Sequence, residues 1–317
     1  MTPDAPVTLT SSPTTSSARP TPWVLIAIIV TVLAWATAFI VIRGTAPYFT
    51  GGGLALARLL VGSVLLSLVL IGRTWVRPTA REWLQIIIFG AAWFGAYNVA
   101  LNTAEQTLDA GTTAMIVNIG PILIALGAGL FLGEGIPKWP AIGAGVAFVG
   151  VVLIGIGTSA NTGSAGFGDG TGVLWCLVAA VTYAVGVLFQ KPVLRRLPAS
   201  QVTFLGCVIG MVVCLPFAGD LVRDVQHAPL PAILGAVYLG AVPTALAFST
   251  WAYALARMPA GRLGVTTYVV PPLATILGLI IFAEVPAALA IVGGVVCLVG
   301  VALSRRTTRV KSGVVAS

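Results

Sequence analysis

Charged side chains are scarce in this sequence of 317 residues, at 8%, whereas apolar residues make up 58% and the mean hydropathy is +1.03. A soluble domain carries about 25% charged and 45–50% apolar residues. Seventeen basic and nine acidic side chains are too few to cover the surface of a soluble domain of this length. The composition therefore excludes a soluble enzyme, a nucleic-acid-binding protein and a disordered chain.

Groups that commonly carry catalysis or bind cofactors are also missing. The one histidine, His227, lies in a predicted loop, and Cys176, Cys207, Cys214 and Cys297 form no Cys-x-x-Cys pair. No Gly-x4-Gly-Lys-Ser/Thr phosphate loop occurs, so nothing supports ATP-driven work. We expect no enzyme activity, no catalytic residue, no cofactor and no metal site.

What the sequence does contain is long apolar runs. A membrane helix needs about 20 apolar residues, and the runs predict an all-α membrane protein with ten transmembrane helices, at 23–42, 51–72, 83–103, 110–132, 139–157, 172–190, 201–219, 231–253, 263–282 and 286–303. Residues 1–22, rich in Ser, Thr and Pro, predict a disordered tail. Residues 304–317 predict a basic tail.

The basic residues indicate the orientation of these helices. With a cytoplasmic N-terminus, fourteen of the seventeen Lys and Arg residues fall on the inner side, Arg43 and Arg223 fall outside, and Arg58 lies within the second helix. Cytoplasmic loops of membrane proteins carry this excess of positive charge. The net charge of +8 is therefore interpreted as an orientation signal in the cell (inner) membrane, with both termini cytoplasmic and no nucleic acid bound.

The chain also repeats itself at an offset of 150 residues. Residues 81–150 align with 231–300 without a gap, and the most specific matches are Pro121 with Pro271 and Glu134 with Glu284. Each half holds five predicted helices, an odd number, so the second half must enter the membrane from the opposite side. The expected domains are thus a first repeat at 23–157, a linker at 158–170 and a second repeat at 171–303, related by inverted topology as in many secondary transporters.

Motif residues at the end of each half carry a resemblance to a known family. In the first half they are Ala110-Gly111, Pro121, Gly133-Glu134 and the glycines from Gly143 to Gly150. In the second half they are Ala260-Gly261, Pro271, Ala283-Glu284 and the glycines from Gly293 to Gly300. Together with Trp35-Ala36 and Arg58, this pattern resembles the EamA family of the drug/metabolite transporter superfamily. The resemblance implies a multi-pass carrier, often an exporter of amino acids or other small metabolites.

Mid-helix prolines indicate where a substrate could bind. Pro121 lacks an amide hydrogen and predicts a break that frees the carbonyl of Val117, while Pro271 and Pro272 predict the same for Thr267 and Tyr268. Carbonyls freed within a membrane must be satisfied internally or line a wet cavity. We expect these breaks to border a central site, with a simple packing kink as the alternative.

Polar and aromatic side chains at similar depth complete the candidate cavity. They are Trp35, Tyr97, Asn98, Asn102, Asn118, Tyr183, Thr267 and Tyr268. Hydrogen bonding between helices is the alternative role for each of them. Arg58 is added because a charge inside a membrane helix is usually functional. The alternatives for Arg58 are holding an anionic substrate, contacting another helix, or snorkelling to the outer headgroups.

No acidic residue lies at the middle of a predicted helix, since Glu105, Asp109 and the others fall at helix ends or in loops. This predicts that the protein is not a cation exporter driven by a buried glutamate. The expected function is secondary transport of a small neutral or zwitterionic metabolite, such as an amino acid, by alternating access. A lipid or lipid-linked sugar flippase and a non-transporting scaffold subunit stay open. Small-residue stripes such as Gly143, Ala147 and Val151, or Gly206 and Gly210, allow helix packing within the monomer or in a homodimer.

Overall fold

The computed structural model describes residues 21–131, 138–161, 170–258, 260–284 and 286–304, and these contain helices and turns but no strand. The predicted tails before residue 21 and after residue 304, most of the predicted linker, and Glu134 lie outside the described residues. The all-helical class expected from the composition is confirmed for the part of the chain that is described.

The α-helices are, in chain order, α1 Pro22–Thr45, α2 Gly51–Leu70, α3 Ala80–Phe89, α4 Tyr97–Ala104, α5 Ala110–Val117, α6 Gly120–Phe131, α7 Lys138–Asn161, α8 Gly170–Val193, α9 Ala199–Cys214, α10 Ala218–His227, α11 Leu230–Leu239, α12 Ala247–Arg257, α13 Ala260–Gly264, α14 Val270–Phe282 and α15 Ala288–Ser304. Two π-helical segments, Gly90–Ala96 and Gly240–Leu246, connect α3 to α4 and α11 to α12. The 3-10 segments are Leu215–Phe217 and Val265–Val269.

Among the described residues, six helical runs are long and apolar enough to cross a membrane: Pro22–Thr45, Gly51–Leu70, Ala80–Ala104, Gly170–Val193, Ala199–His227 and Leu230–Arg257. Shorter apolar helices cover parts of the remaining predicted spans. Large apolar side chains such as Phe148 and Ile280 point away from the protein. Such an outer surface is unfavourable in water and suits hydrocarbon, because lipid tails are as apolar as these side chains.

Helices from the two halves pack against each other throughout the interior. Helix α1 lies along α12 and α14, α2 along α9, α4 along α8, and α7 along α15. The buried apolar side chains form two adjoining clusters, which share Trp35 and Tyr97 at their border. The small-residue stripes also pack within the chain, since Gly206 and Gly210 lie against Phe89 and Phe94.

The contact between α7 and α15 is close because glycines let the backbones approach. A Cβ on Gly150 would lie 2.5 Å from the carbonyl oxygen of Gly293, and one on Gly300 would lie 2.6 Å from that of Gly143. Between these two contacts, the Cys297 thiol donates to the Ala147 carbonyl over 3.2 Å. No side chain larger than hydrogen fits at either crossing without a shift of the backbone.

The π-helical segments interrupt two long helices at positions 150 residues apart. Pro243 lies inside the second one and lacks the amide hydrogen that an α-helical turn would require. The wider turns leave carbonyls out of line, and side chains satisfy them: Asn98 Nδ2 donates to the Phe94 carbonyl over 2.7 Å, and Thr244 Oγ1 donates to the Leu239 carbonyl over 2.8 Å. The repeat therefore extends to irregular backbone geometry.

Helix breaks also lie near the predicted prolines. Helix α5 ends at Val117 and α6 begins at Gly120, with Pro121 as its second residue. In the second half a 3-10 segment leads into α14, where Pro271 occupies the first turn. The prediction that the Thr267 carbonyl is freed is wrong, since it accepts the amide hydrogen of Val270. The tight 3-10 turn supplies the hydrogen bond that the α-helical pattern would have lost.

Helix α14 is followed by its C-cap residue Ala283, which has the left-handed conformation with φ of 54°. Its amide donates to the Leu279 carbonyl, and the amide of Glu284 donates to that of Gly278. Glycine is favoured at this position because a Cβ is strained there. The aligned residue of the first half is Gly133. The replacement of glycine by alanine at position 283 therefore affects the strain of the backbone at this helix end.

Candidate functional site

A cavity lies at the border between the two halves, with about 400 Å³ of empty space including its mouth. None of its lining side chains carries a charge. The lining residues are Trp35, Phe39, Trp93, Tyr97, Val117, Asn118, Tyr183, Phe248, Thr267 and Val270. Five of them, Trp35, Tyr97, Asn118, Tyr183 and Thr267, belong to the candidates predicted from the sequence.

Irregular helix segments place several of these side chains. Trp93 belongs to the first π-helical segment, and Tyr97 is the first residue after it. Asn118 follows the last residue of α5, at the break before α6, and Thr267 lies in the 3-10 segment before α14. Gly120 keeps the break close to α8, because a Cβ there would lie 2.3 Å from the ring of Tyr183. Irregular backbone at membrane depth is tolerated where it is buried in protein or lines a cavity.

Aromatic rings form one wall of the cavity. Trp35 lies with its ring centroid 5.0 Å from that of Trp251 and 5.6 Å from that of Phe248. The ring of Trp93 is 4.9 Å from that of Phe248 and 5.0 Å from that of Tyr183. Such pairs contribute about 0.5–1.5 kcal/mol each beyond their buried area. The wall is therefore rigid, apolar and polarisable.

The polar part of the cavity consists of a hydroxyl and an amide contributed by opposite halves. Thr267 Oγ1 lies 2.7 Å from the Gly264 carbonyl and 3.4 Å from Asn118 Oδ1. Its one hydrogen is best placed towards Gly264, so Asn118 Oδ1 stays open as an acceptor. The Tyr183 hydroxyl is buried and lies near the Thr267 side chain, but it forms no hydrogen bond within 3.5 Å among the described residues. The Asn118 oxygen and the Tyr183 hydroxyl can therefore each form a hydrogen bond with a polar ligand.

The remaining polar candidates do not line the cavity. Asn98 bonds to its own helix, as described above, and Asn102 Nδ2 donates to the Gly51 carbonyl over 3.2 Å. Tyr268 packs against the apolar core next to α14. Asn102 therefore connects α4 to the start of α2, which is the interhelical alternative stated for it, whereas Asn98 satisfies a carbonyl of its own helical run.

Arg58 does not line the cavity and is buried, with 2% of its surface exposed. Its Nε donates to Thr244 Oγ1 over 3.1 Å, in the second π-helical segment, and its Nη1 has no partner among the described residues. The snorkelling alternative for Arg58 is wrong, because packing of α2 against that segment encloses the side chain. A guanidinium with an unpaired donor in a buried position is costly unless another partner completes it.

Two cations hold opposite ends of the molecule by a similar contact. At one end Arg43, in the last turn of α1, donates through Nη1 to the Glu105 carbonyl at the end of α4, and its Nε lies 2.7 Å from Glu284 Oε1. At the other end Lys191, near the end of α8, donates to the carbonyls of Leu255 and Met258 at the end of α12. Residues 105 and 255 are 150 positions apart. Cations are favourable at helix C-termini, where carbonyls lack partners.

Some site residues were missed by the sequence analysis. Phe39 follows Trp35 by four residues and lies on the same face of α1, so helical spacing could have predicted it. Phe248 aligns with the candidate Asn98 in the repeat, so its repeat position could have predicted it. Glu105 was placed correctly at a helix end, but in the structure it is 0% exposed. Burial at a helix end depends on contacts between distant helices, and no local pattern reports it.

Comparison with known proteins identifies the family. The EamA-like transporter family matches residues 22–156 and 170–306. A protein of Streptantibioticus cattleyicolor named "Probable terminal-alkyne amino-acid exporter" is 35% identical over 283 residues, which are 89% of this chain and 93% of that protein. The "Uncharacterized transporter YdfC" of Bacillus subtilis is 33% identical, over 84% of this chain and 86% of that protein.

A solved structure with 18% sequence identity superimposes with a TM-score of 0.61 and covers 89% of this chain and 96% of the other. At this identity the likeness shows the fold alone. The family match covers both halves, and the apolar helices are those of a protein that crosses the membrane several times. The chain belongs to the EamA-like transporter family, and it is therefore a membrane transporter of small molecules and not an enzyme.

Proposed function

We propose that the protein exports a small neutral or zwitterionic amino acid with an apolar side chain, by alternating access to the central cavity. The observation that carries this proposal is the composition of the cavity: aromatic walls surround the open Asn118 oxygen and the unpartnered Tyr183 hydroxyl. Apolar walls with a few convergent polar groups are typical of small-molecule sites.

The substrate class follows from what these groups can bind. The Asn118 oxygen accepts a hydrogen bond from an ammonium group, and the Tyr183 hydroxyl donates one to a carboxylate. The aromatic wall suits an uncharged, polarisable side chain. The relative from Streptantibioticus cattleyicolor is named for amino acids with a terminal alkyne, a side chain of this chemical type. We infer an amino acid with an unsaturated or otherwise apolar side chain.

Alternating access is supported by features that recur in both halves. The π-helical segments lie 150 residues apart, and the α7–α15 contacts pair Gly150 with Gly293 and Gly143 with Gly300. Exchanging the two halves converts one glycine contact into the other, as expected for a two-fold axis between Ala147 and Cys297. We propose ten transmembrane helices in two inverted repeats, 23–157 and 171–303, with both termini on the cytoplasmic side of the inner membrane.

The proposal is tested by counterflow in proteoliposomes, with a panel of labelled apolar, polar and charged amino acids and with the pH gradient present or absent. We expect saturable exchange of apolar amino acids only. Movement of fluorescent lipids without amino-acid exchange would instead identify a flippase. Exchange of neither class by folded protein would contradict transport of amino acids.

The variant Tyr183→Phe tests the cavity itself. Because the hydroxyl lies near the Thr267 side chain but makes no hydrogen bond within 3.5 Å among the described residues, its loss removes little internal bonding, and thermal unfolding should change little. Loss of a hydrogen bond to a charged substrate group should raise the KM for counterflow about tenfold. The matched control is Tyr238→Phe, which removes a hydroxyl bonded to Thr37 outside the cavity and should leave the KM unchanged. An unchanged KM in Tyr183→Phe would remove this hydroxyl from the substrate site.

A further inference from the structure

Glu105 is a buried carboxylate that the cavity does not account for. It directly follows α4, and its amide donates to the Leu101 carbonyl over 3.1 Å. The side chain is 0% exposed, and neither carboxylate oxygen has a hydrogen-bond partner among the described residues. An ionised carboxylate in this position would lose its hydration without gaining hydrogen bonds in return.

Charged and titratable groups from several elements surround Glu105. They are Arg43 on α1, Arg58 on α2, Tyr97 on α4, Asp109 before α5, Cys176 on α8 and Glu284 after α14. Asp109 accepts the amide hydrogen of Thr112 over 2.8 Å, and Glu284 pairs with Arg43. Two cations therefore face two other carboxylates, and the cluster is neutral when Glu105 carries a proton.

The cations near Glu105 are engaged elsewhere. Arg43 donates to Glu284 and to the backbone carbonyl of Glu105, and Arg58 donates to Thr244. Burial raises the pKa of the Glu105 carboxyl well above its usual range, and the positive charges of Arg43 and Arg58 offset this only in part.

We propose that Glu105 is a proton-binding site, which holds a proton while the end of the molecule that carries Arg43 is closed and releases it when that end opens. The opening step rests on the alternating access proposed above. Opening separates α1, α4 and the segment after α14, so it breaks the Arg43–Glu284 pair and exposes Glu105 to water. Tyr97, Leu101 and Glu105 share one face of α4, which places the proton site about 12 Å along the helix from the cavity.

The direction of the pH effect follows from linkage. The closed state binds one more proton than the open state, so acid on this side favours the closed state. As the pH rises through the raised pKa of Glu105, this preference is lost by up to about tenfold per pH unit. The equilibrium fraction of protein in which this end is open should therefore increase with pH, whether or not substrate is present.

The experiment measures hydrogen–deuterium exchange of residues 43–50 and 105–109 in the purified protein from about pH 5 to about pH 9. Wild-type, Glu105→Gln and Asp220→Asn proteins are compared at equal pH, so the intrinsic pH dependence of exchange cancels. Glutamine imitates the protonated carboxyl, and Asp220 is an acid paired with Arg223 on the surface of α10.

We expect wild-type and Glu105→Gln to exchange alike at the acid end, and wild-type to exchange at least about tenfold faster at the alkaline end. Asp220→Asn should follow the wild type throughout. A wild-type to Glu105→Gln ratio that does not change with pH would overturn the proposal, as would a Glu105→Gln protein that unfolds at a lower temperature than the wild type. Because no substrate is used, failure here is distinct from failure of amino-acid counterflow.

Discussion

Arg58 is a charged residue in a buried position, where an incompletely paired guanidinium is energetically unfavourable. Its guanidinium is enclosed between α2 and the second π-helical segment, with Thr244 as the partner of Nε and no described partner for Nη1. Removing a buried charge that is only partly paired is not expected to weaken folding greatly, since the remaining Thr244 hydroxyl also donates to the Leu239 carbonyl. A residue kept at such cost is expected to act in transport.

We therefore predict that Arg58→Ala abolishes counterflow while membrane insertion and the amount of folded protein stay near those of the wild type. Arg58→Lys restores the charge but not the guanidinium geometry, and should recover only part of the activity. Arg257→Ala is the control, because Arg257 is exposed and lies over the ring of Tyr253. Wild-type flux in Arg58→Ala would show that Arg58 has no part in the mechanism.

For single residues, the sequence predicts which residue types belong to the cavity better than it predicts what each side chain contacts. Trp35, Tyr97 and Asn118 were chosen as polar or aromatic residues at membrane depth, and they line the cavity. Asn98 and Asn102 met the same criterion, yet they bond to backbone carbonyls. The difference arises from the π-helical turn and from the approach of α2, which depend on tertiary contacts that residue spacing does not contain.

Among the helices, the contact between α7 and α15 is the most demanding, because both helices supply glycine where they cross. Gly150→Ala would place a Cβ 2.5 Å from the Gly293 carbonyl oxygen, so the helices must move apart. Overpacking of this kind costs about 1–3 kcal/mol. We predict a lower unfolding temperature in detergent for Gly150→Ala.

The matched control is Gly145→Ala on the same helix, where an added Cβ would meet no atom within 4 Å. Alanine has the higher helix propensity, so this change should leave the unfolding temperature unchanged or raise it slightly. If the two variants unfold at equal temperatures, the close approach of α7 and α15 does not contribute to stability.

Helix boundaries show how far an apolar pattern predicts structure. The runs at 23–42 and 51–72 are single helices in the structure, α1 and α2, since nothing in them interrupts the α-helical hydrogen bonds. The run at 83–103 contains a π-helical segment without any proline, and hydropathy does not distinguish a π turn from an α turn. Prolines indicated the regions of the other breaks, but the 3-10 turn at Thr267 was not predictable, because it forms to satisfy the backbone locally.

For the whole molecule, the contacts of Arg43 and Lys191 close opposite ends in the same way. Each cation lies near the end of the first helix of its half and binds carbonyls at the end of α4 or α12. Both contacts are present in this structure. Under the alternating access proposed above, the protein releases one of these contacts at a time, and we expect the two to be similar in strength.

We predict that Arg43→Met and Lys191→Met have opposite effects at the two ends. Methionine keeps an unbranched chain but cannot donate to a carbonyl, so Arg43→Met should increase hydrogen exchange at residues 105–109 and Lys191→Met at residues 255–258. Because opening one end excludes opening the other, each variant should also slow exchange at the unmutated end. A change confined to the mutated end would show local fraying and would contradict a coupled two-state transporter, since a shift in population must alter both ends together.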